Sequence, residues 1–443
     1  MVMKKSLSER LVHLPWPRAE ERAEAVAEFS RTEGTIVPSF SEISSRFEHL
    51  RDPGKAFPAL EVVAVDVTRS GTPAILISGG VGQHNAVIVV HNGATNDIAY
   101  DLGLEGLTDR AVYGIAVADI DNDGEDEIIM AEHTGIVVYS RDPGEIKYER
   151  STLDVELPNK ALPLSLTFGD TRGDGNMDMY VSTFIEPQFL IPGNYNNPDT
   201  RVDNVFFRNN GDGTFTDASD ESGLRFHQNG YDARFVDFTG DGLPDLVAAF
   251  NTDRPRLWGN NGDGTFTEKP LPGGYGFWMG LAVGDTSGNG LPDIFLANVG
   301  KSIPAPILHR DLRDDQHVDP FSIHLRNEGD YNFTNVTDQT KATSMAFAWG
   351  AVFADFTNNG RLDLVITENF RAYPLGLEVL FPTGGKFLVQ REDGTFLRAE
   401  AQAGVRNFHW GYRPIAADLT GSGSLDLIIA NVSGPLRIFL SDL

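Results

Sequence analysis

IAVADIDNDGEDEIIM, residues 115–130, carries the pattern on which the reading of this chain turns. An apolar stretch runs into Asp119, a polar loop follows around Gly124, and a second apolar stretch leaves it. Two short strands joined by a carboxylate-rich turn are the simplest structure for such a pattern. The same shape returns as VVAVDVTRSGTPAILI from Val62, SLTFGDTRGDGNMDMYV from Ser165 and ARFVDFTGDGLPDLVA from Ala233. It comes back again as LAVGDTSGNGLPDIFLA from Leu281, AVFADFTNNGRLDLVIT from Ala351 and PIAADLTGSGSLDLIIA from Pro414. The leading aspartates, Asp66, Asp119, Asp170, Asp237, Asp285, Asp355 and Asp418, stand 48 to 70 residues apart. That period fits one four-stranded propeller blade with connections of variable length.

A second element supplies the other two strands of a blade. It reads VFFRNNGDGTFTDAS from Val205, RLWGNNGDGTFTEK from Arg256, IHLRNEGDYNFTNVT from Ile323 and KFLVQREDGTFLRAE from Lys386. Asn-Gly and Asp-Gly steps favour positive φ and so a tight hairpin. The seventh unit ends after its third strand, at Leu443. SFSEISSRFEHL from Ser39 resembles the missing fourth strand, and its return would cover the open edge at both ends of the ring. The expected architecture is therefore all-β: a seven-bladed β-propeller over residues 36–443, closed by an N-terminal strand. Residues 1–35 form a helical extension in this reading, with an amphipathic helix from Pro17 to Arg31.

These repeats resemble the FG-GAP/VCBS family, which includes the integrin α-subunit propeller, some fungal lectins and many bacterial proteins. The resemblance covers roughly residues 36 to 443. It implies calcium in the Asp loops, with ligands at loop positions 1, 3, 5 and 9 and a backbone carbonyl at 7. Blade 2 fits best, through Asp119, Asp121, Asp123 and Glu127. Blade 4 is intermediate, with Asp237, Thr239, Asp241 and Asp245, while blade 3 places Arg172 at position 3. Such a metal would be structural, because a cage of protein oxygens leaves no open position for chemistry. The competing reading is an Asp side chain that simply accepts backbone N–H bonds and holds the turn.

Composition narrows the partners. A net charge of −27 disfavours nucleic acid and anionic membranes. No stretch is long and apolar enough to span a bilayer, and no signal-peptide core follows the N-terminus, so the chain as given reads as cytoplasmic. The absence of cysteine excludes disulfides, thiolate metal sites and a cysteine nucleophile. No phosphate loop, dinucleotide fingerprint, zinc helix or serine elbow is present, so no organic cofactor is indicated.

Strand direction places the Asp loops and hairpin turns on one face, here the lower, and the remaining connections on the upper face. Aromatic residues cluster just before the first strands: Tyr113, Tyr231, Phe277, Trp278, Phe347, Trp349, Phe408, Trp410 and Tyr412. Three upper connections are long, at Phe184 to Arg201, Val299 to Ser322 and Asn369 to Thr383. They carry His309, Arg310, Asp311, Arg313, Asp314, Asp315 and His317, with Tyr195, Arg371 and Tyr373. The expected site is an aromatic-lined funnel walled by these loops. Glu61, Asp232 and Arg413 each stand five residues before a leading Asp, and His409 is near in sequence. Burial of a carboxylate there would raise its pKa and suit it to general acid catalysis.

Three functions are compatible with this: binding of a small molecule or glycan in the funnel, a cofactor-independent cyclase, isomerase or lyase using the same funnel, and a protein–protein scaffold. The sequence leaves catalysis open.

Overall fold

The computed structural model describes residues 35–50, 60–80, 82–303, 305–369, 383–432 and 434–443. Within them the chain forms seven antiparallel sheets, each built on four strands, which run in sequence order from the centre outward in the first six and end in the N-terminal strand in the seventh. The innermost strands are Val62–Val65, Val112–Ala118, Ala161–Gly169, Asn229–Val236, Gly280–Gly284, Ala348–Ala354 and Gly411–Ala417. Each packs against the innermost strand of the next blade, and the seventh packs against the first, so the ring is closed. The helix expected over Pro17 to Arg31 lies outside the described residues.

Closure follows the sequence pattern. Strand Phe40–Glu48 runs antiparallel to the last strand, Pro435–Ser441, with Phe40 opposite Ser441 and Ser44 opposite Arg437. Arg437 donates to both carboxylate oxygens of Glu42, at 2.7 and 2.6 Å, tying residues 395 positions apart. Phe40 also seats its ring against Phe356 and Phe387 of blade 6. The closing strand is thus held by packing as well as by its ladder.

Blades stack face to face, so their second strands are buried on both sides. Asp178–Ile185 and Asp245–Asp253 have no exposed residue, which explains their near-continuous apolar sequences. A separate apolar layer fills each junction; Phe238, Val247, Leu257, Leu281, Ile294 and Leu325 form the one between blades 4 and 5. Burying such a side chain stabilises by roughly 1.5–3 kcal/mol, and this repeated layer is the main source of ring stability.

The junctions also share a polar clasp. Asn209, at the end of a third strand, donates from Nδ2 to the Ile120 carbonyl in the Asp loop of the preceding blade (2.8 Å). Asn260 reaches the Thr171 carbonyl (2.8 Å), Asn327 that of Phe238 (2.9 Å) and Gln390 that of Thr286 (2.7 Å). Arg141 makes the corresponding bond to Val67 (2.7 Å). The backbone N–H groups of Asn209, Asn260, Asn327 and Gln390 donate in turn to Asp178, Asp245, Asp293 and Asp363. The ninth loop position is therefore a staple between the Asp loop and the third strand of its own blade.

Candidate functional site

On the lower face the hydrogen bonds separate blade 2 from the other six. Both oxygens of a leading Asp normally accept backbone N–H groups. Asp66 takes Ser70 and Gly71, Asp170 takes Asp174 and Gly175, and Asp285 takes Gly288 and Gly290. Asp355 and Asp418 are saturated likewise. In blade 4, Asp237 accepts from Gly240 and Gly242. There Asp241 accepts from Leu243, and Asp245 from Phe238, Asn260 and the Tyr331 hydroxyl. At the intermediate metal site expected in blade 4, Asp237 and Asp245 thus accept hydrogen bonds through both oxygens and Asp241 through one.

Blade 2 differs. Asp119 Oδ2 accepts from Gly124, but Oδ1 is buried with no hydrogen-bond partner. Ligand oxygens of Asp119, Asp121 and Glu127 lie within 4.8 Å of one another. Glu127, one methylene longer than the Asp at this position in blades 3 to 7, accepts from Ile120 within its own loop (2.9 Å). Its carboxyl is pushed up to about 7, first by burial and then by the charges of Asp121, Asp123 and Asp119. Asp123 is exposed at the rim of the group. An orphaned oxygen amid unneutralised carboxylates is a donor set suited to a hard divalent cation.

Near the centre of the ring, the structure brings Glu61, Asp232 and Arg413 together. Arg413 leaves blade 7 and forks onto Glu61 of blade 1, through Nε (3.0 Å) and Nη2 (2.8 Å). Its Nη1 reaches Asp232 of blade 4 (2.9 Å), so one side chain links three blades. Asp232 also accepts from Arg234 (2.5 Å), Ser165 (3.2 Å) and the Leu281 amide (3.4 Å). Small residues make room at the same register elsewhere. A Cβ on Gly350 would stand 2.6 Å from the Tyr412 carbonyl oxygen, so only glycine permits that approach.

Burial alone would raise the Asp232 carboxyl, but the Arg234 and Arg413 guanidiniums more than offset it and hold the group below the usual carboxylate range. The general acid expected from burial is therefore not found at Asp232, which stays ionised at neutral pH. Burial opposes the charge on Arg413 as well, and Glu61 and Asp232 restore it. His409 differs from these three in being exposed. Its carbonyl accepts from Asn369 (2.9 Å).

The aromatic residues on the upper side gather, but not as an open funnel. Tyr113, Tyr231, Phe277, Phe347, Trp349, Trp410 and Tyr412 belong to one buried cluster. Phe347 stacks on Trp349 at 4.7 Å, and Trp349 meets Trp410 at 5.4 Å, Tyr412 at 5.6 Å and Tyr231 at 6.2 Å. The Tyr412 hydroxyl donates to that of Tyr231 (3.4 Å). Burial pushes the Tyr412 phenol up to about 12 and holds the Tyr231 phenol well above its ordinary value, so both stay neutral. Trp278 is not part of this group. Alternation along Phe277-Trp278-Met279 turns its ring into the layer between blades 4 and 5, fully buried, with Nε1 donating to the Gly274 carbonyl (3.2 Å). Phe408, by contrast, is 53 % exposed.

Two of the long connections explain the closure. The connection after blade 3's second strand reaches its counterpart from blade 5, across blade 4. Tyr195 and Asn196 donate their backbone N–H groups to the Asp311 carboxylate (2.6 and 2.9 Å). Asn196 and Gln316 exchange side-chain amide bonds (2.9 and 3.1 Å), and the Tyr195 hydroxyl donates to the Leu308 carbonyl (2.8 Å). Tyr195 packs edge-on to Phe277 and Tyr275. Leu308, Val299 and Val202 join the same cluster, so the two connections form a cover over the aromatic layer. Arg371 and Tyr373 lie outside the described residues. Arg310, Arg313, Asp314, Asp315, His309 and His317 are on the blade 5 segment, where Arg313 donates to Asn196 (2.6 Å).

Sequence reading missed Ser165 and Arg234 as partners of Asp232. Ser165 was open to discovery, since it also stands five residues before a leading Asp, Asp170. The pairing of Asp311 with residues 195 and 196 left no sequence signal.

Residues 119–181, 190–248 and 237–296 match the FG-GAP-like repeat family. No curated protein matches the chain. Solved structures share its shape at low identity. The chain is similar to an Agrocybe aegerita lectin solved for its specific recognition of non-reducing terminal N-acetylglucosamine, at 18 % identity and a TM-score of 0.41 over 90 % of this chain and 93 % of that one. It is also similar to BBS1N, solved in complex with ARL6DN, at 10 % identity and 0.51 over 91 % and 98 %. The extracellular domain of the hybrid two-component system BT4673 from B. thetaiotaomicron follows at 12 % and 0.47, over 91 % of this chain and 40 % of that one. At these identities the likeness concerns the fold alone. The chain is a seven-bladed β-propeller, with FG-GAP-like repeats matched over three stretches between residues 119 and 296.

Proposed function

We propose that this protein binds a compact, largely apolar small molecule at the aromatic centre of its upper face, beneath the cover formed by the blade 3 and blade 5 connections. One observation carries the reading: seven aromatic side chains from five blades meet in one cluster, roofed by segments that belong to no blade's sheet. Junction packing elsewhere in the ring needs no such roof. A ligand that displaced Tyr195 would meet the faces of Phe277, Tyr231 and Trp349 and the paired hydroxyls of Tyr231 and Tyr412. The cover favours a compact molecule over an extended glycan, whose stacking partners need access to solvent. A structural calcium at Asp119, Asp121 and Glu127 lies on the opposite face in this reading and serves stability.

Intrinsic tryptophan fluorescence during titration with fractionated metabolite extracts tests the proposal, with mass spectrometry of each responding fraction. The expected result is a saturable change that Trp349→Leu and Trp410→Leu abolish. A response unaltered by either substitution would remove the aromatic centre as the site. Recovery of a converted ligand would add turnover to binding.

Protein docking is the second reading, favoured by Phe189, Ile191, Ile307 and Phe321 on the two connections, each more than a third exposed. Ile191→Asp with Ile307→Asp would abolish such docking, and Trp349→Leu would leave it intact.

A further inference from the structure

We infer that the cover is a hinged lid and that Asp311 is its latch, so that its two connections part from one another while the seven blades remain closed. This rests on the small-molecule reading above. Three observations support it. First, the tie between the two connections is polar and concentrated. The Asp311 carboxylate alone takes the amides of Tyr195 and Asn196, and the Asp311 carbonyl accepts from the Asn196 side chain (2.5 Å). Second, the remaining ties lie within a few residues of that point: the Asn196–Gln316 amide pair, Arg313 on the Asn196 side chain (2.6 Å), the Tyr195 hydroxyl on Leu308, and Arg310 on the Pro192 carbonyl (3.4 Å). Backbone fit adds to them at Gly193, which has a φ of 74° and sits so close that a Cβ would stand 2.1 Å from the Ile307 carbonyl oxygen. Third, the ring does not depend on these bonds, because strand ladders, junction layers and the Asn and Gln clasps lie elsewhere. Loss of the latch carboxylate therefore weakens the join between two segments that stay anchored to the blades at their ends, by the Thr200 carbonyl on Asn229 and by His317 and Asp319 on Tyr275. In such an arrangement local opening can separate from global unfolding.

The test uses acrylamide as the probe, since Trp349 and Trp410 share one buried cluster with Tyr195 and Leu308 of the lid while Trp258 and Trp278 lie in blade junctions. Asp311→Ala in the full chain should raise the acrylamide quenching constant about 3-fold, and Trp349→Phe with Trp410→Phe should remove most of that increase. Hydrogen exchange should accelerate at least 10-fold across residues 190–200 and 305–318, with the strands unchanged. Unchanged quenching in Asp311→Ala, or an increase shared by the strands, would overturn the lid.

If Asp311→Ala fails to fold, the latch can be locked instead. The chain has no cysteine, so Asn196→Cys with Gln316→Cys provides a single pair for a short bifunctional maleimide. Bridging should lower quenching below that of the unbridged pair, and equal quenching would refute the lid. A lid that opens while no extract fraction binds would refute the small-molecule reading alone. Ligand binding that bridging leaves unaffected would refute the lid alone.

Discussion

Replacing Arg413 with Met should cost the ring roughly 3–5 kcal/mol, the range for breaking a buried ion pair from one side. The residue is the hub of the central network, bonded to Glu61 twice and Asp232 once at 2.8 to 3.0 Å. Methionine fills much of the same volume, so the loss is of charge rather than packing. The two carboxylates then fare differently. Asp232 keeps Arg234, Ser165 and the Leu281 amide, whereas Glu61 keeps its bond from the Val62 amide (3.0 Å) and no arginine that the structure shows bonded to it. Most of the cost therefore falls on Glu61, left charged in a site 6 % exposed. Unfolding entropy of about 2.1 cal/mol/K per residue gives ~0.85 kcal/mol/K over some 400 residues, so ~4 kcal/mol lowers Tm by about 5 °C. Calorimetry on the single variant and on Glu61→Gln with Arg413→Met provides the check. Because the second change removes the stranded charge, the double variant should recover a large part of the loss, a positive coupling. An Arg413→Met protein within 1 °C of wild type, or a double variant less stable than the single one, would refute the reasoning.

Chelation should lower Tm by several degrees if calcium occupies blade 2, because a ligand at 100 times its Kd contributes about 2.7 kcal/mol. Asp121→Ala should abolish that shift, while Asp241→Ala in blade 4 should leave it intact, as thermal melts with and without chelator would show. His324 is held near pKa 4, first by burial and then by Arg326. Its folded pKa lies below the unfolded value, so this stability is present above pH 6.5 and is lost as pH falls toward 4. The loss is of order 3 kcal/mol by linkage, and His324→Gln should flatten denaturant midpoints measured across that window. Asn327→Ala removes the clasp onto the Phe238 carbonyl and should cost about 1–3 kcal/mol by chemical denaturation, since a buried carbonyl loses its donor.

Most of the fold was legible because propeller repeats state their geometry locally. A strand needs only an apolar run, a turn only its Gly, Asn and Asp, and the leading aspartates mark the register of every blade. Even the closing strand at Phe40–Glu48 could be read, since its pattern matches the fourth strand that blade 7 lacks. The central trio was legible for the same reason: Glu61, Asp232 and Arg413 occupy one register, and a ring brings one register together. Their charge state was not. Whether burial raises a carboxyl or a guanidinium holds it down depends on which side chains reach it: Arg234 comes from the same strand two residues on, but Arg413 arrives across the ring from blade 7.

Local pattern determined that this chain makes seven blades, which loops face which side, and where aromatic and acidic residues accumulate. Contacts between distant segments decided what those residues became. Trp278 turned into a junction layer because strand alternation sends neighbours to opposite faces. Asp311 captured amides 115 and 116 positions away in sequence, joining two connections whose side chains pack into the aromatic cluster. Of seven similar Asp loops, one holds a leading aspartate with a buried, unpaired oxygen, and that loop has Glu127 at the position where Asp in five other blades staples a third strand. Such choices are made by distance and burial, which the order of residues along a strand does not encode.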